Sequence, residues 1–555
     1  MTAAIADFGP GPLPVIKAIC EELGILDTLN EQLTWDETQC NLSPADRLLA
    51  LIMNVLTEGK PMYRLPEFFE GADVENLFGE GVDPENINNH ACARALDKLY
   101  EAEPSTVLGT VLLRAADAED IDCDVLHADT TSFSVHGLYE LDEDADDDVL
   151  EITHGYSTDN RHDLRQFKAG LGVNRAGVPV LGQILDGNAA DKTWNTELIG
   201  QLDEWLDLDE PPIYVADSAA FTENTIDEAD DQGVELITRV PRTYSAVDAL
   251  IDRAWEHDDW TEVGVLSETR DEDNAASYKL QSFTHTFHDD NHDLRCLVVH
   301  STSLDGRTER RIDNQLDTDE KDLQDAVGRL TDRSFACEPD AEDALEEWLD
   351  DHEHPCFEID ADVVETEEKK SRDGPGRPPK DWDPYKTVYK IAADVHRDAA
   401  AIGQKKAKES CFVVATTLDE SDHWSDEAVL TEYKEQQTVE RRFPVLKDPK
   451  RVGPVFLDRP ERVEALGYLL VMALLVYSVI ERRARQALRD ADEPMELAGG
   501  PTSFRPTGRR VLERFENMRV IRIDDQRAIP DNVDVPERVL DLLDLSVEIY
   551  GVEAE

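Results

Sequence analysis

With 555 residues, 40% hydrophobic and 32% charged, the chain has room for three or four domains of about 150 residues, and its composition excludes a disordered protein. Its 55 basic residues face 122 acidic ones, a formal net charge of −67. A surface this acidic argues against a nucleic-acid partner, because phosphate contacts need local positive charge; adaptation to concentrated salt, where screening shortens to a few ångström, removes that objection.

The N-terminus, MTAAIADFGPGPLP, has neither the charged nor the apolar region of a signal peptide. Residues 1–118 read as a helical domain. Ser43 and Pro44 are an N-cap and a first helical residue for ADRLLALIMNVL, Asn88 or Asn89 caps NHACARALDKLY, and Pro104-Ser105 opens STVLGTVLLRAA. Helix pairs of this kind suit binding of DNA ends through a helix-turn-helix. Residues 1–100 hold 6 basic and 17 acidic side chains, however, so a packing or dimerisation module is at least as well supported. The eight cysteines include no CxxC pair, which argues against a zinc ribbon or disulfide scaffold and fits a reducing cytoplasm.

From 119 to 242 the pattern turns to strands. CDVLHADTTSF has a short apolar run ending at Asp129, and KAGLGVNRAGVPVLGQIL is a hairpin turned by Asn174-Arg175-Ala176-Gly177. TWNTELIGQLDEWL has helical spacing, PPIYVADSAAF is a buried strand ending at Asp217, and TENTIDEADDQG with VELITRV adds a helix and a strand. This order predicts an α/β domain, one mixed sheet with helices packed on it.

Residues 243–425 read as a strand-rich insertion in that domain. SYKLQSFTH, LRCLVVH, CFEID and CFVVATT are its strands, AEDALEEWLDDH is a helix, and EEKKSRDGPGRPPKDWDP is a basic Pro/Gly-rich loop. Residues 426–490 complete the sheet domain with the helical YKEQQTVERRF and an apolar run, Ala465–Ile480. At 16 residues that run is short for a membrane span of about 20, so it reads as a core helix. Residues 491–555 form a C-terminal tail region.

Charge is unevenly shared. Residues 431–530 carry 19 basic and 16 acidic side chains, a net of +3, while the other 455 residues carry −70. With 18 Lys to 37 Arg and the acidic excess spread over most of the chain, adaptation to salt is favoured. The one segment spared that excess points to an anionic partner, nucleic acid.

Asp129 and Asp217 each end a buried strand, which two turn-capping aspartates would also do. A third carboxylate shifts the balance. Tyr433, Gln436, Glu440 and Lys447 have offsets of 0, 3, 7 and 14, and at about 100° per residue they share an arc of roughly 60°. Pro444 should kink or end that helix, which makes the direction of Lys447 the least secure. Two aspartates and a glutamate on rigid elements suit Mg²⁺ or Mn²⁺, and two such ions clamp the attacking and leaving oxygens of a phosphoryl displacement.

The order HADTTSFSVHG, GYSTDNRHDLRQFKAGLGVNRAGVPVLGQILDGNAADKTWN, YVADSAAFTENT with LITRVPRT, then Tyr-x₂-Gln-x₃-Glu-x₆-Lys resembles insertion-sequence transposases of the DDE type. More narrowly, it is similar to the group marked by a Tyr-x₂-Arg-x₃-Glu-x₆-Lys signature. The N-terminal region from ADFGPGPLPVIKAICEELG resembles the leader domain of one branch, and the acidic composition is of haloarchaeal type. The resemblance implies a ribonuclease-H-like catalytic domain, two Mg²⁺ or Mn²⁺ ions, and cutting and joining of double-stranded DNA at terminal inverted repeats and target by a homodimer assembled on the ends. It puts the catalytic and metal-binding carboxylates at Asp129, Asp217 and Glu440, and the signature tyrosine and lysine at Tyr433 and Lys447. Gln436 stands at the arginine position, and glutamine lacks the bidentate phosphate grip of arginine.

Other candidates are His127, read as a core histidine rather than a ligand, and the polar loop of His154, Asp159, Arg161, His162, Asp163 and Arg165. Gly376-Arg377-Pro378 resembles a minor-groove hook. Arg441, Arg442, Arg505, Arg509 and Arg510 are phosphate contacts or ordinary surface charge. Two rivals stand beside the transposase. One is a carboxylate-pair glycosidase, for which the basic segment around Glu440 has no use. The other is a DNA-binding relic without activity, against which the intact carboxylate triad argues.

Overall fold

Capping chemistry starts the N-terminal helices where the sequence puts them. A computed structural model describes the chain apart from residues 1–4, 37–39, 58, 136, 138, 140–148, 156–160, 162, 206–210, 267–274, 288–291, 372–380, 422, 448–456, 458, 498, 524–525 and 554–555. Ser43 Oγ accepts from the Asp46 amide at 3.0 Å and the Asp46 carboxylate accepts in return, a capping box that opens helix Pro44–Leu56. Asn88 Oδ1 accepts from the Ala91 amide at 3.0 Å to open Asn89–Glu101, and Pro104 opens Pro104–Glu119. With Leu13–Glu22 and Ile25–Gln32, they make residues 13–119 a mostly helical region. A short strand, β1 (Ile5–Phe8), precedes it and pairs antiparallel with Val520–Ile523.

Two compact units divide the chain: residues 1–241, 285–295 and 415–555 form one, residues 242–284 and 296–414 the other. In the first lie β2 (Val125–Val135), β3 (Arg165–Val173), β4 (Pro179–Leu185), β5 (Ile213–Ala216) and β6 (Leu236–Arg239), in the spatial order β4-β3-β2-β5-β6. The β2–β3 and β3–β4 pairs are antiparallel and the β2–β5 and β5–β6 pairs parallel, the mixed α/β arrangement that the order of segments predicts. The β3–β4 turn needs Gly177, whose φ of +74° is cheap only for glycine and whose missing Cβ leaves room for the Arg442 guanidinium.

Helix Pro460–Asp490 is the spine of this unit. Leu469–Ile480 is buried without a break, against helices Pro44–Leu56, Asn89–Glu101 and Pro104–Glu119 and strand β4. By length and composition it could cross a membrane, but 89% of its most apolar window is already buried in the protein. The core-helix reading of Ala465–Ile480 holds.

Arginines of the C-terminal third clamp the acidic N-terminal region. Arg462 meets Asp97 at 2.6 Å, Arg519 meets Asp7 at 2.6 Å, Arg527 meets Asp73 at 2.6 Å, and Arg522 pairs with Glu75. Glu119, almost fully buried, takes Arg482 at 3.1 Å and both Nε and Nη2 of Arg483, which also reaches Glu22 at 2.6 Å. Six of the 19 basic residues of 431–530, Arg462, Arg482, Arg483, Arg519, Arg522 and Arg527, are thus paired with carboxylates of residues 7–119.

The second unit contains β7 (Thr261–Val265) and most of β8 (Ser277–Phe287), β9 (His292–Ser301) and a later strand, β12 (Cys411–Thr416), in the order β12-β9-β8-β7. Between β9 and β12 the chain forms an antiparallel ribbon of β10 (Phe357–Lys369) and β11 (Tyr385–Arg397). Its helices are Ser245–His257, Gly306–Thr331, Glu338–Asp351 and Ala399–Glu409. The first, second and fourth escape the sequence reading; in Gly306–Thr331 charged side chains crowd around a thin apolar stripe of Ile312, Leu316, Leu323, Val327 and Leu330.

Removing the hub of the clamp separates structural arginines from surface ones. Glu119→Ala leaves two guanidinium groups short of a partner in a low-dielectric setting and is expected to cost about 3–5 kcal/mol. Breaking the exposed Arg64–Glu67 pair should cost less than about 1 kcal/mol. Urea unfolding in molar KCl measures both; equal midpoints for the two variants would refute the clamp.

Candidate active site

Parallel pairing aligns Ala128 of β2 with Ala216 of β5, on strands about 4.8 Å apart. The expectation that both aspartates end their strands is corrected: Asp217 follows the last residue of β5, but Asp129 lies inside β2, still paired with Leu171 of β3. Each carboxylate is held by the backbone. Asp129 Oδ1 accepts from the Thr130 amide at 2.7 Å, and Asp217 Oδ1 accepts from the Ala219 amide at 2.8 Å. The Asp217 carbonyl also accepts from Thr238 Oγ1 of β6 at 2.6 Å, and buried Tyr214 of β5 donates to Asn195 Oδ1 at 2.6 Å, tying the strand to helix Asp191–Trp205.

Glu440 arrives from a broken helix. Asp426–Glu435 lies on β5 and β6 and Gln437–Glu440 on β2 and β3. Buried Gln436 joins them and donates through Nε2 to the Ala128 carbonyl at 2.8 Å, one residue before Asp129. Exposed Glu440 thereby acts electrostatically on Asp129 and Tyr433. The helix stops at Arg441–Arg442 and restarts as Phe443–Lys447, with Pro444 in the first turn, where a missing amide is tolerated.

The charges do not cancel. Burial, then repulsion from Asp217, Glu440 and Asp191, pushes the Asp129 carboxyl up to about 8 against the opposing Thr130 amide. Loss of water and the Asp191 charge raise Asp217 as well, against the Ala219 amide. Tyr433 is pushed up to about 12, chiefly by burial, although the neighbouring Arg239 guanidinium opposes the shift; it stays a phenol. Acceptor-only oxygens that repel one another suit a hard divalent cation. Among the described residues, though, no three His, Cys, Asp or Glu side chains are drawn together closely enough to enclose one.

The sequence reading missed the support beneath Asp129. Lys168 of β3 is buried and donates to the Ala189 carbonyl at 2.7 Å and to Asp191 Oδ1 at 2.9 Å; the same oxygen accepts from Thr130 Oγ1 at 2.6 Å. A lysine inside the apolar run KAGLGV of so acidic a chain was the available signal. Arg239, at the end of β6, was missed too.

Of the expected DNA contacts, the structure leaves some outside and takes others in. Arg441 is exposed, and half-buried Lys447 lies with Nζ 6.0 Å from the Phe133 ring, four residues along β2 from Asp129. Gln436 and Arg442 are corrections: both are 5% exposed. Gln436 is spent on Ala128, and Arg442 donates to Glu481 at 2.8 Å and to the Ala176 carbonyl at 3.0 Å, so neither presents its head group to a strand. His127 is the core histidine expected, with Nε2 3.0 Å from Glu432, which also holds Arg175. Of the polar loop, Arg161 pairs with Asp163 and Arg165 donates to the Tyr139 and Ile152 carbonyls. Asp159, His162 and Gly376–Pro378 lie outside the described residues.

Comparison with known families gives two matches. Residues 124–476 match the family described as Transposase DDE domain, and residues 11–113 match a domain of unknown function, DUF4277. No curated protein matches.

The raised Asp129 pKa makes a stability prediction. Its folded value of about 8 lies above an unfolded value of about 3.9. The ionised carboxyl therefore costs nothing below the unfolded value, and its cost grows as pH rises through the folded one. Asp129→Asn keeps the oxygen that accepts from Thr130. In EDTA it should raise Tm over wild type, by a margin larger at about pH 8.5 than at about pH 5.5. A margin that shrinks with pH would contradict the raised value.

Proposed function

Because the chain belongs to the transposase DDE domain family, we propose that it cleaves DNA strands at transposon ends and transfers the freed 3′-hydroxyl into target DNA, with Asp129, Asp217 and Glu440 as the catalytic carboxylates. The observation that carries this reading is the pairing of β2 with β5 in a register that sets Asp129 beside Asp217, with Glu440 brought within electrostatic reach by a helix anchored on Ala128.

Bound Mg²⁺ or Mn²⁺ would supply neutralisation of charge on the attacking and leaving oxygens, and Asp129, Asp217 and Glu440 are the residues that would hold it. The rest belongs to the chain. The Thr130 and Ala219 amides fix the direction of the two aspartates, and Lys168 with Asp191 fixes Thr130. Tyr433, kept protonated, can donate to a phosphate oxygen, and Arg239 beside it brings a fixed positive charge. Arg441 and Lys447 would meet the strand by its phosphates.

The test is nicking of a labelled duplex carrying the element's terminal repeat, with Mg²⁺ in concentrated KCl. Wild type should cleave at the repeat boundary. Asp129→Ala, Asp217→Ala and Glu440→Ala should each lose on the order of 10⁴-fold in rate while binding the duplex with near wild-type affinity. Cleavage at wild-type rate by any of the three removes that residue from the site.

A further inference from the structure

Helix Gly306–Thr331 has two unlike sides. Its apolar stripe is buried, with Ile312, Leu316 and Leu323 packing on Cys356 and Phe357. The carboxylates flanking that stripe are taken by cations of neighbouring elements. Glu309 and Asp313 meet Lys406 at 3.3 and 2.9 Å, Asp317 and Glu320 meet Arg397 at 2.6 and 2.7 Å, and Asp319 lies 3.4 Å from His354.

The opposite side is left to solvent. Arg307, Arg310, Arg311, Asn314, Gln315 and Thr318 are all exposed, and together they line a shallow concavity of about 630 Å³. At about 100° per residue they fill an arc of roughly 140° centred away from the buried stripe, and Lys321 extends it. Within that arc no carboxylate occurs before Asp322. Arg307 and Arg310 have no carboxylate partner among the described residues, and Arg311, which touches Glu409 at 3.1 Å, is 70% exposed. Asp305 already caps the helix through the Arg307 and Thr308 amides, so the positive character comes from side chains and not from the helix dipole.

In a chain of net charge −67, a helix that pairs the acids beside its buried stripe with cations of neighbouring elements and presents four cations outward over about 21 Å is complementary to a polyanion. The remaining side chains narrow the class: arginine, asparagine and glutamine are the residues that pair with guanine and adenine edges in a groove wide enough for a helix. We propose that this face docks duplex DNA in the major groove, with Arg307, Arg310 and Arg311 on phosphates and Asn314 and Gln315 toward base edges. The assignment rests on the reading of the chain as a DNA transposase.

Fluorescence anisotropy of the full chain with a labelled terminal-repeat duplex, across a KCl series, tests it. Arg307→Ser/Arg310→Ser should weaken binding at least about 10-fold and lower the slope of log K against log[salt] by about two, near 0.9 per lost phosphate contact. Its urea midpoint should stay at the wild-type value, because both side chains are exposed. Wild-type affinity and slope in the double variant would overturn this surface alone, since cleavage by wild type still supports the transposase reading. Failure of wild type to bind or cut any duplex would overturn both. Polyglutamate that binds wild type as tightly as the duplex, and is lost equally in the variant, would reassign the face to an acidic protein.

Discussion

The candidate site of this protein depends on one register: Ala128 of β2 opposite Ala216 of β5 in parallel. Parallel pairing sets the residues after Ala128 and Ala216 next to each other, and here both are aspartate, one inside β2 and one just past the end of β5. Two carboxylates held on adjacent strands repel, and neither can retreat, because each accepts a backbone amide that fixes its direction. Burial first, and then this repulsion, pushes the Asp129 carboxyl up to about 8. Everything nearby either maintains the arrangement or adds to its charge. Gln436 ties the Glu440 segment to the carbonyl one residue before Asp129, Thr238 holds the carbonyl of Asp217, and Asp191 brings a fourth carboxylate that Lys168 keeps in place. Acceptor-only oxygens gathered in this way suit a hard cation.

The same economy of charge governs the rest of the chain. Against so many carboxylates, arginine becomes the scarce component, and its placement is informative. Arg462, Arg483, Arg519 and Arg527 join the C-terminal third to the N-terminal helical region through carboxylates at Asp97, Glu119, Asp7 and Asp73. Arg442 is spent under the β3–β4 turn, where Gly177 makes room for it. Cations used this way hold the fold together and are unavailable to DNA. Arg441 and the outer face of Gly306–Thr331 stand apart from that network.

What could be read from sequence was what short-range chemistry dictates. Ser43 and Asn88 cap helices because their side chains reach amides three residues on, and the β3–β4 turn follows from a glycine at positive φ. Asp217 was legible as the residue that ends a buried strand, whereas β2 runs on past Asp129, and Pro444 marked a break where the helix does stop and restart. Long-range facts were not legible. That Gln436 turns inward depends on a carbonyl 308 residues away, and that Arg442 is internal depends on Glu481 and on Ala176. The basic balance of 431–530 is legible only as a count, since composition does not show that six of its arginines pair with carboxylates of residues 7–119. The helix Gly306–Thr331 was hidden by its own charge.

The central claim is that Asp129, Asp217 and Glu440 form one cation-binding site. Diffraction from crystals of the full chain soaked in MnCl₂, at a wavelength where manganese scatters anomalously, addresses it without reliance on activity. The account predicts an anomalous peak with carboxylate oxygens of Asp129 and Asp217 at about 2 Å and Glu440 drawn in to complete the set, and no peak there in Asp129→Asn. Manganese bound elsewhere, with the three carboxylates left as they are, would contradict it.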